Sequence, residues 1–165
     1  GIYVMISDKS FITMCRDKRN TGSFFEKHGV RVPTAVNIEN VKNGLEGKDS
    51  LHYPIFAKPF DGSLSTNLHF IKTADELTRE ILNDPKLLFM EYIDKSVYKE
   101  YTVDMYYGKD NKVKCIIPRE RIAIRAGEIN KGRTAKNEIL DFIKDVWAVS
   151  VCSCFFTLRP RIWLA

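Results

Sequence analysis

The chain has 165 residues, of which 44% are hydrophobic and 28% charged, with a net charge of +5 and a pI near 9.0. That length holds one ordinary domain or two small lobes and excludes a large multi-domain enzyme, so a single nucleotide or substrate site is expected. No apolar run approaches the roughly 18 residues needed to span a bilayer, and basic residues alternate with acids, as in Lys72-Thr73-Ala74-Asp75-Glu76, which argues against nucleic acid or a membrane surface and leaves small anions as partners.

The N-terminal stretch Ile2 to Ile6 is apolar and too short for a signal-peptide core, and it reads as a strand. A helix is predicted from about Arg16 to Lys27, capped by His28-Gly29 with Pro33 beyond. Val30 to Val36 alternates as an extended segment, and Gly44 to Ser50 reads as a loop. Ile55 to Lys58 is a strand that runs into Pro59 and the loop Phe60 to Thr66, with a partner strand over Asn67 to Lys72. Thr73 and Glu76 have capping-box spacing for a helix to about Leu82, which Asn83-Asp84-Pro85 ends. Leu87 to Ile93 is the apolar run of a buried strand. Tyr101 to Tyr107 and Lys112 to Pro118 form a hairpin joined at Gly108 to Asn111. After Arg121 to Ala126 a loop is expected around Gly127 and Gly132, then a helix from Ala135 to Trp147. The fold class is α+β in two lobes. Cys15, Cys115, Cys152 and Cys154 include no C-x-x-C pair, so free thiols in a reducing cytoplasm are expected.

Four segments in order carry a further signal: Cys15-Arg16-Asp17-Lys18; Tyr53 to Pro59 with its small-residue loop; Phe89-Met90-Glu91-Tyr92-Ile93 followed by Lys99 to Asp104; and Pro118-Arg119-Glu120-Arg121 with Arg125 to Glu128. In this order and spacing the chain resembles ATP-grasp domains over about residues 10 to 145, in particular those of carbamoyl-phosphate synthase large subunits. The resemblance implies an ATP-grasp fold with the nucleotide cleft between two lobes and an incomplete C-terminal lobe. It divides the chain into a remnant of a preceding domain with an entry helix (1–19), a lid lobe (20–88) and a second lobe (89–165) altered after about residue 146.

By resemblance, Lys18 and Lys58 are cations for the nucleotide phosphates, since several negative charges must be met by fixed positive ones. A lysine in Arg16-Asp17-Lys18-Arg19 otherwise reads as a solvated helix face, whereas Lys58 ends an apolar strand, where packing gives it little. Gly62, Ser63 and Ser65 would cradle phosphate, although relatives carry more glycines in this loop. Glu91, Tyr92 and Ile93 match the hinge that reads adenine, with a structural partner for Glu91 as the other reading. Glu100 matches the ribose position, and Asp104 shares a side with Thr102 by alternation. Arg119, Arg121 and Arg125 are assigned by period two to one face, either solvent or the cleft, where planar guanidinium groups would meet phosphate or an acyl phosphate. Lys131 is placed on a flexible loop near the same site.

The resemblance also implies ATP as the bound nucleotide, a small carboxylate or amine as second substrate, and magnesium held by terminal carboxylates in a pattern close to Glu-x-Asn-Pro-Arg. The corresponding stretch here is Thr157-Leu158-Arg159-Pro160-Arg161, and no Asp or Glu follows Asp145. No metal ligand is therefore assigned; Asp104 and Glu120 remain as carboxylates that could serve instead. The tail, with Trp147, Trp163, Cys152 and Cys154, is read as not the family's native ending, through a reading-frame change or a truncation. The chain as a whole is read as a fragment. Three readings follow: an ATP-dependent ligase domain, a nucleotide-binding module without turnover, or, from the net charge alone, a basic nucleic-acid-binding domain.

Overall fold

The structure, a computed structural model, describes residues 9–45, 52–62, 65–108, 110, 112–125, 127–149 and 161–164. Among them two antiparallel sheets form, each over its own apolar cluster, which is the expected α+β arrangement in two lobes. No helix among the described residues is long and apolar enough to cross a membrane.

The helix expected from about Arg16 to Lys27 is α2 (Lys18–Lys27), and a further helix, α1 (Lys9–Arg16), precedes it. Asp17 breaks them because its extended backbone lets its carboxylate accept from the Arg19 N–H at 2.9 Å, an N-cap for α2. At the other end His28 is the C-cap and Gly29, at φ +74°, takes the left-handed conformation that glycine adopts without steric cost. A third helix, α3 (Ile38–Leu45), was not expected and overlaps the stretch read as loop only at Gly44 and Leu45. Asn37 Oδ1 accepts from the Glu39 N–H at 2.8 Å, and Val41 is fully buried. The strand expected over residues 2–6 lies outside the described residues.

The first sheet contains β1 (Ile55–Pro59), β2 (His69–Ile71) and β3 (Leu87–Glu91) in the order β2-β1-β3. Ile55, Ala57 and Pro59 are buried in alternation with half-buried Phe56 and Lys58, and the core joins Val41, Ile55, Ala57, Ile71, Leu77 and Phe89. All of β3 belongs to this sheet, across the boundary drawn at 88–89. The single helix expected from Thr73 is instead a 3-10 turn, Ala74–Glu76, followed by α4 (Arg79–Asn83). Thr73 makes no side-chain cap bond; Glu76 Oε2 accepts from the Lys72 N–H at 2.7 Å. The cap that forms is Thr78, whose Oγ1 accepts from the Ile81 N–H at 3.3 Å. Leu77 sits at the break and is 5% exposed. Burying a leucine is worth about 1.5–3 kcal/mol against about 1 for a cap, so the core position wins.

The second sheet contains β4 (Lys99–Tyr107), β5 (Val113–Arg125), β6 (Glu128–Thr134) and β7 (Arg161–Leu164), in the order β6-β5-β4-β7 and antiparallel throughout. The β4–β5 hairpin is as read from sequence. The stretch around Gly127 and Gly132 is not a flexible loop but strand β6, so Lys131 sits opposite Ala123 in a ladder. Helix α5 (Glu138–Val149) places Ile139 and Ile143 one turn apart, and both bury against Tyr101, Val103 and Met105 of β4. Phe24 and Phe25 of α2 pack on the same cluster. The tail contributes β7, whose backbone pairs with residues 99–102.

Candidate functional site

Register defines the face of the first sheet that turns away from its core. Phe56 lies opposite both Phe70 and Met90, and two residues on Lys58 lies opposite Leu88, so these five share one face. That face is apolar with a cation at one end. Beside it the Tyr92 ring stands 4.4 Å from the Phe70 ring, centroid to centroid, and Lys72 Nζ lies 5.7 Å from the Phe70 centroid. A flat heteroaromatic ring next to an anionic group is the ligand shape such a surface suits. Phe70 was missed in the sequence because it carries no motif; its cross-strand position to Phe56 is what marks it.

The loop after β1 is built by close approach and by unusual backbone. A Cβ on Gly62 would lie 2.9 Å from Pro59 Cβ, so only glycine fits there. Ser65 and Asn67 adopt φ of +56° and +51°, left-handed conformations that cost a non-glycine residue about 1–2 kcal/mol. The shortage of glycines is thus met by serine and asparagine taking their conformations. Asn67 is held by hydrogen bonds with His69 at 2.8 Å and Asp84 at 3.3 Å. Ser63 lies outside the described residues.

The N-terminal turn of α2 grips this loop. The Lys18 N–H donates to Phe60 O at 2.9 Å, and Lys18 Nζ donates to Pro59 O, Phe60 O and Gly62 O at 2.9, 3.3 and 2.6 Å. The Arg19 guanidinium lies 3.7 Å above the Phe60 ring and forks onto Asp17, with a shortest distance of 2.6 Å. That fork, with backbone N–H groups at the helix start, holds the Asp17 carboxyl below the usual carboxylate range. Lys18 therefore meets the loop through its carbonyl oxygens.

At the expected hinge, Glu91 Oε1 accepts from the Thr34 N–H at 3.0 Å, while the Glu91 N–H donates to Thr34 O at 2.9 Å. The carboxylate's partner is a backbone amide rather than a cation, and it fastens segment 34–36 to β3. Tyr92 and Ile93 follow immediately, outside the ladder.

On the second sheet, Thr102 lies opposite Arg119, so Glu100, Thr102, Asp104, Arg119 and Arg121 share the face away from the core. Arg119 pairs with Asp104 at 2.6 Å, with side chains 32% and 24% exposed. Arg121 pairs with Glu100 at 3.0 Å, both side chains 5% exposed or less. Arg121 also donates to Gly127 O at 2.8 Å and Thr102 Oγ1 at 3.4 Å, and Lys95 reaches Glu100 at 3.5 Å. Two register shifts intervene between Arg121 and Ile124, so period-two counting does not carry Arg125 onto this face. Lys131 is exposed on β6.

The two carboxylates considered for a divalent cation each pair with an arginine, Asp104 with Arg119 and Glu120 with Arg133 at 2.5 Å. Among the described residues no three His, Cys, Asp or Glu gather as a metal site. A magnesium ion at either carboxylate would compete with its arginine for the oxygens.

No protein-family model matches the chain. Over 61 residues it is 38% identical to the alpha-aminoadipate–LysW ligase LysX of Sulfurisphaera tokodaii, covering 37% of this chain and 21% of that protein. Over 74 residues it is 32% identical to a D-alanine–D-alanine ligase of Maridesulfovibrio salexigens, covering 45% of this chain and 24% of that protein. Among solved structures, N5-carboxyaminoimidazole synthetase from Staphylococcus aureus, complexed with ADP, superposes with a TM-score of 0.67 at 16% identity, over 84% of this chain and 37% of that one. The matches thus span about a quarter or less of the two ligases and about a third of the synthetase. Two antiparallel sheets each over its own core, the ordered motifs and the partial matches to these two ligases identify the chain as a member of the ATP-grasp superfamily.

Proposed function

We propose that the chain is the ATP-binding part of a cytoplasmic, carbamoyl-phosphate synthase-like ligase that activates a small carboxylate for attack by an amine or ammonia. The observation that carries this reading is the apolar face of the first sheet, ending in Lys58 beside the loop that Lys18 holds. Adenine packs on that face, with Tyr92 and Ile93 reading its edge, and Lys58 with the Gly62 to Ser65 loop takes the phosphates. A carboxylate oxygen of the substrate attacks the γ-phosphorus and ADP leaves; the amine nitrogen then attacks the acyl carbon, forming the C–N bond as inorganic phosphate leaves and the nitrogen gives up a proton. Arg119, more exposed than Arg121, meets the anionic substrate or the acyl phosphate, and exchanges part of its bond to Asp104 for that contact. Arg121 is buried and holds Glu100 in place. Glu100 keeps acceptor capacity beyond Arg121, because a carboxylate offers about four lone-pair sites, and so can still receive a ribose hydroxyl.

A second reading, a nucleotide-binding module without turnover, is favoured by the arginine pairing of Asp104, Glu100 and Glu120. Equilibrium binding of ATP and GTP tests the shared core of both: ATP is preferred, and equal affinity for both, or none for either, refutes it. Phosphate release over a panel of amino acids, ammonia and bicarbonate separates the two.

A further inference from the structure

We propose that Asn67 is a positioning residue: it fastens the exit of the loop after β1 to the same turn that holds the loop's entry, so that nucleotide phosphates meet a loop already in place. Its purpose rests on the nucleotide reading above, while the tie itself is a property of the ligand-free protein. At the entry, the Phe60 N–H donates to Lys86 O at 2.9 Å, and Lys86 Nζ pairs with Asp61 at 3.2 Å. Lys86 belongs to the turn Asp84-Pro85-Lys86 before β3, where its own N–H donates to Asp84 Oδ1 at 2.9 Å. At the exit, Asn67 Nδ2 donates to the other oxygen of that carboxylate, Asp84 Oδ2, at 3.3 Å. One short turn thus touches the loop on both sides.

The chemistry at position 67 asks for asparagine. Its φ of +51° lies in the left-handed region, which glycine takes freely and asparagine tolerates better than most residues. Glycine would supply the backbone but nothing to bond with. A carboxylate only accepts, so the amide must present its NH2 to Asp84, and its oxygen then faces His69 Nε2 at 2.8 Å, which makes that ring nitrogen the protonated one. Aspartate at this position would set a second carboxylate against Asp84. His69 opens β2 opposite Ala57 of β1, so one side chain bonds both to the strand that follows the loop and to the turn that holds its entry. His69 alternates with Phe70 along β2 and therefore lies on the other side of the sheet from Phe70 and Lys58. The tie sits behind the face assigned to the nucleotide and needs no contact with it.

Calorimetric titrations of ATP and adenosine, paired with hydrogen exchange of the ligand-free protein, test this on wild type, Asn67→Gly, Asn67→Asp, Asp84→Ala and the double variant Asn67→Gly with Asp84→Ala. Glycine keeps the backbone conformation and deletes the tie, so ATP affinity should fall about two- to tenfold, the worth of a lost hydrogen bond, with adenosine unmoved. Exchange over residues 65–71 should accelerate by a similar factor, with β4 and β5 unchanged. Asn67→Asp should lose at least as much ATP affinity, through repulsion from Asp84. Asn67→Gly should cost less in the Asp84→Ala background, where the shared bond is already gone. ATP affinity that holds or improves in Asn67→Gly would overturn the proposal, because the asparagine would then be only a strained stand-in for glycine. ATP loss with exchange unchanged would overturn it as well, since that pattern means direct contact with phosphate, and so would an equal loss for adenosine or an equal cost in both backgrounds. If wild type binds neither ligand, the nucleotide reading fails, and exchange over residues 65–71 alone decides whether Asn67 holds the loop.

Discussion

Replacing Arg121 by leucine should destabilise the protein by about 3–4 kcal/mol, and the size of that loss follows from what surrounds the pair. Arg121 and Glu100 side chains are 4% and 5% exposed at 3.0 Å separation. Removing one partner of a buried pair leaves an uncompensated charge, which costs about 3–5 kcal/mol. Lys95 remains 3.5 Å from Glu100, but it is 59% exposed, and an exposed lysine returns only about 0.2–1 kcal/mol. Gly127 O also loses its donor, which adds up to about 1 kcal/mol. The double variant Glu100→Leu with Arg121→Leu removes both charges together and should fall within about 1–2 kcal/mol of wild type, because apolar replacement of a whole buried pair is often neutral. Urea denaturation followed by circular dichroism at neutral pH gives all the needed values. A single-variant loss below about 1 kcal/mol, or a double variant as costly as the two singles summed, would refute the reasoning.

Lys58→Ala should weaken ATP binding about ten- to a hundredfold and leave adenosine nearly unaffected, since the lost contact is charge-assisted and to phosphate; equal loss for both ligands in calorimetry would make the lysine structural. Asp17→Ala should remove a stabilising contribution at neutral pH that wild type itself loses on acidification. The folded carboxyl titrates below its ordinary value, so its contribution is present above about pH 4 and disappears as pH falls through the depressed folded value; thermal melts from pH 7 to 2 should show the two proteins converge only at the acid end. Ile143→Ala empties a 1% exposed position in the second core and should cost about 2–5 kcal/mol in the same urea assay.

Strong local patterns carried much of the fold. β1 was readable because Ile55-Phe56-Ala57 is a short apolar run ended by Lys58 and Pro59, and the β4–β5 hairpin because Gly108 separates two strand-like runs. β6 was hidden: Glu128-Ile129-Asn130-Lys131-Gly132-Arg133-Thr134 is polar and glycine-bearing, and it is a strand because β5 extends to Arg125 and offers it a partner. Thr73 and Thr78 are both credible caps by composition, and only the demand to bury Leu77 chooses between them. In the site, the family order pointed to Lys18, Glu91, Glu100 and Arg121. What no spacing could disclose is whom they bond. Glu100 and Arg121 are 21 residues apart in sequence, and Lys18 finds its carbonyls more than 40 residues away. Long-range partners of polar groups are set by strand register and helix placement, which a linear pattern does not record.

Helix α2 touches both halves of the molecule at once. Its first turn holds the loop after β1, and on its last turns Phe24 and Phe25 lie on the core beneath β4. Ten residues make a rod about 15 Å long, too short and stiff to absorb much strain by bending. Swinging the first sheet away from the second must therefore either drag the 59–62 loop along with the rod or lift the two phenylalanines off their seat. The loop after β1 and the aromatic seat beneath β4 are thus tied together through one short helix.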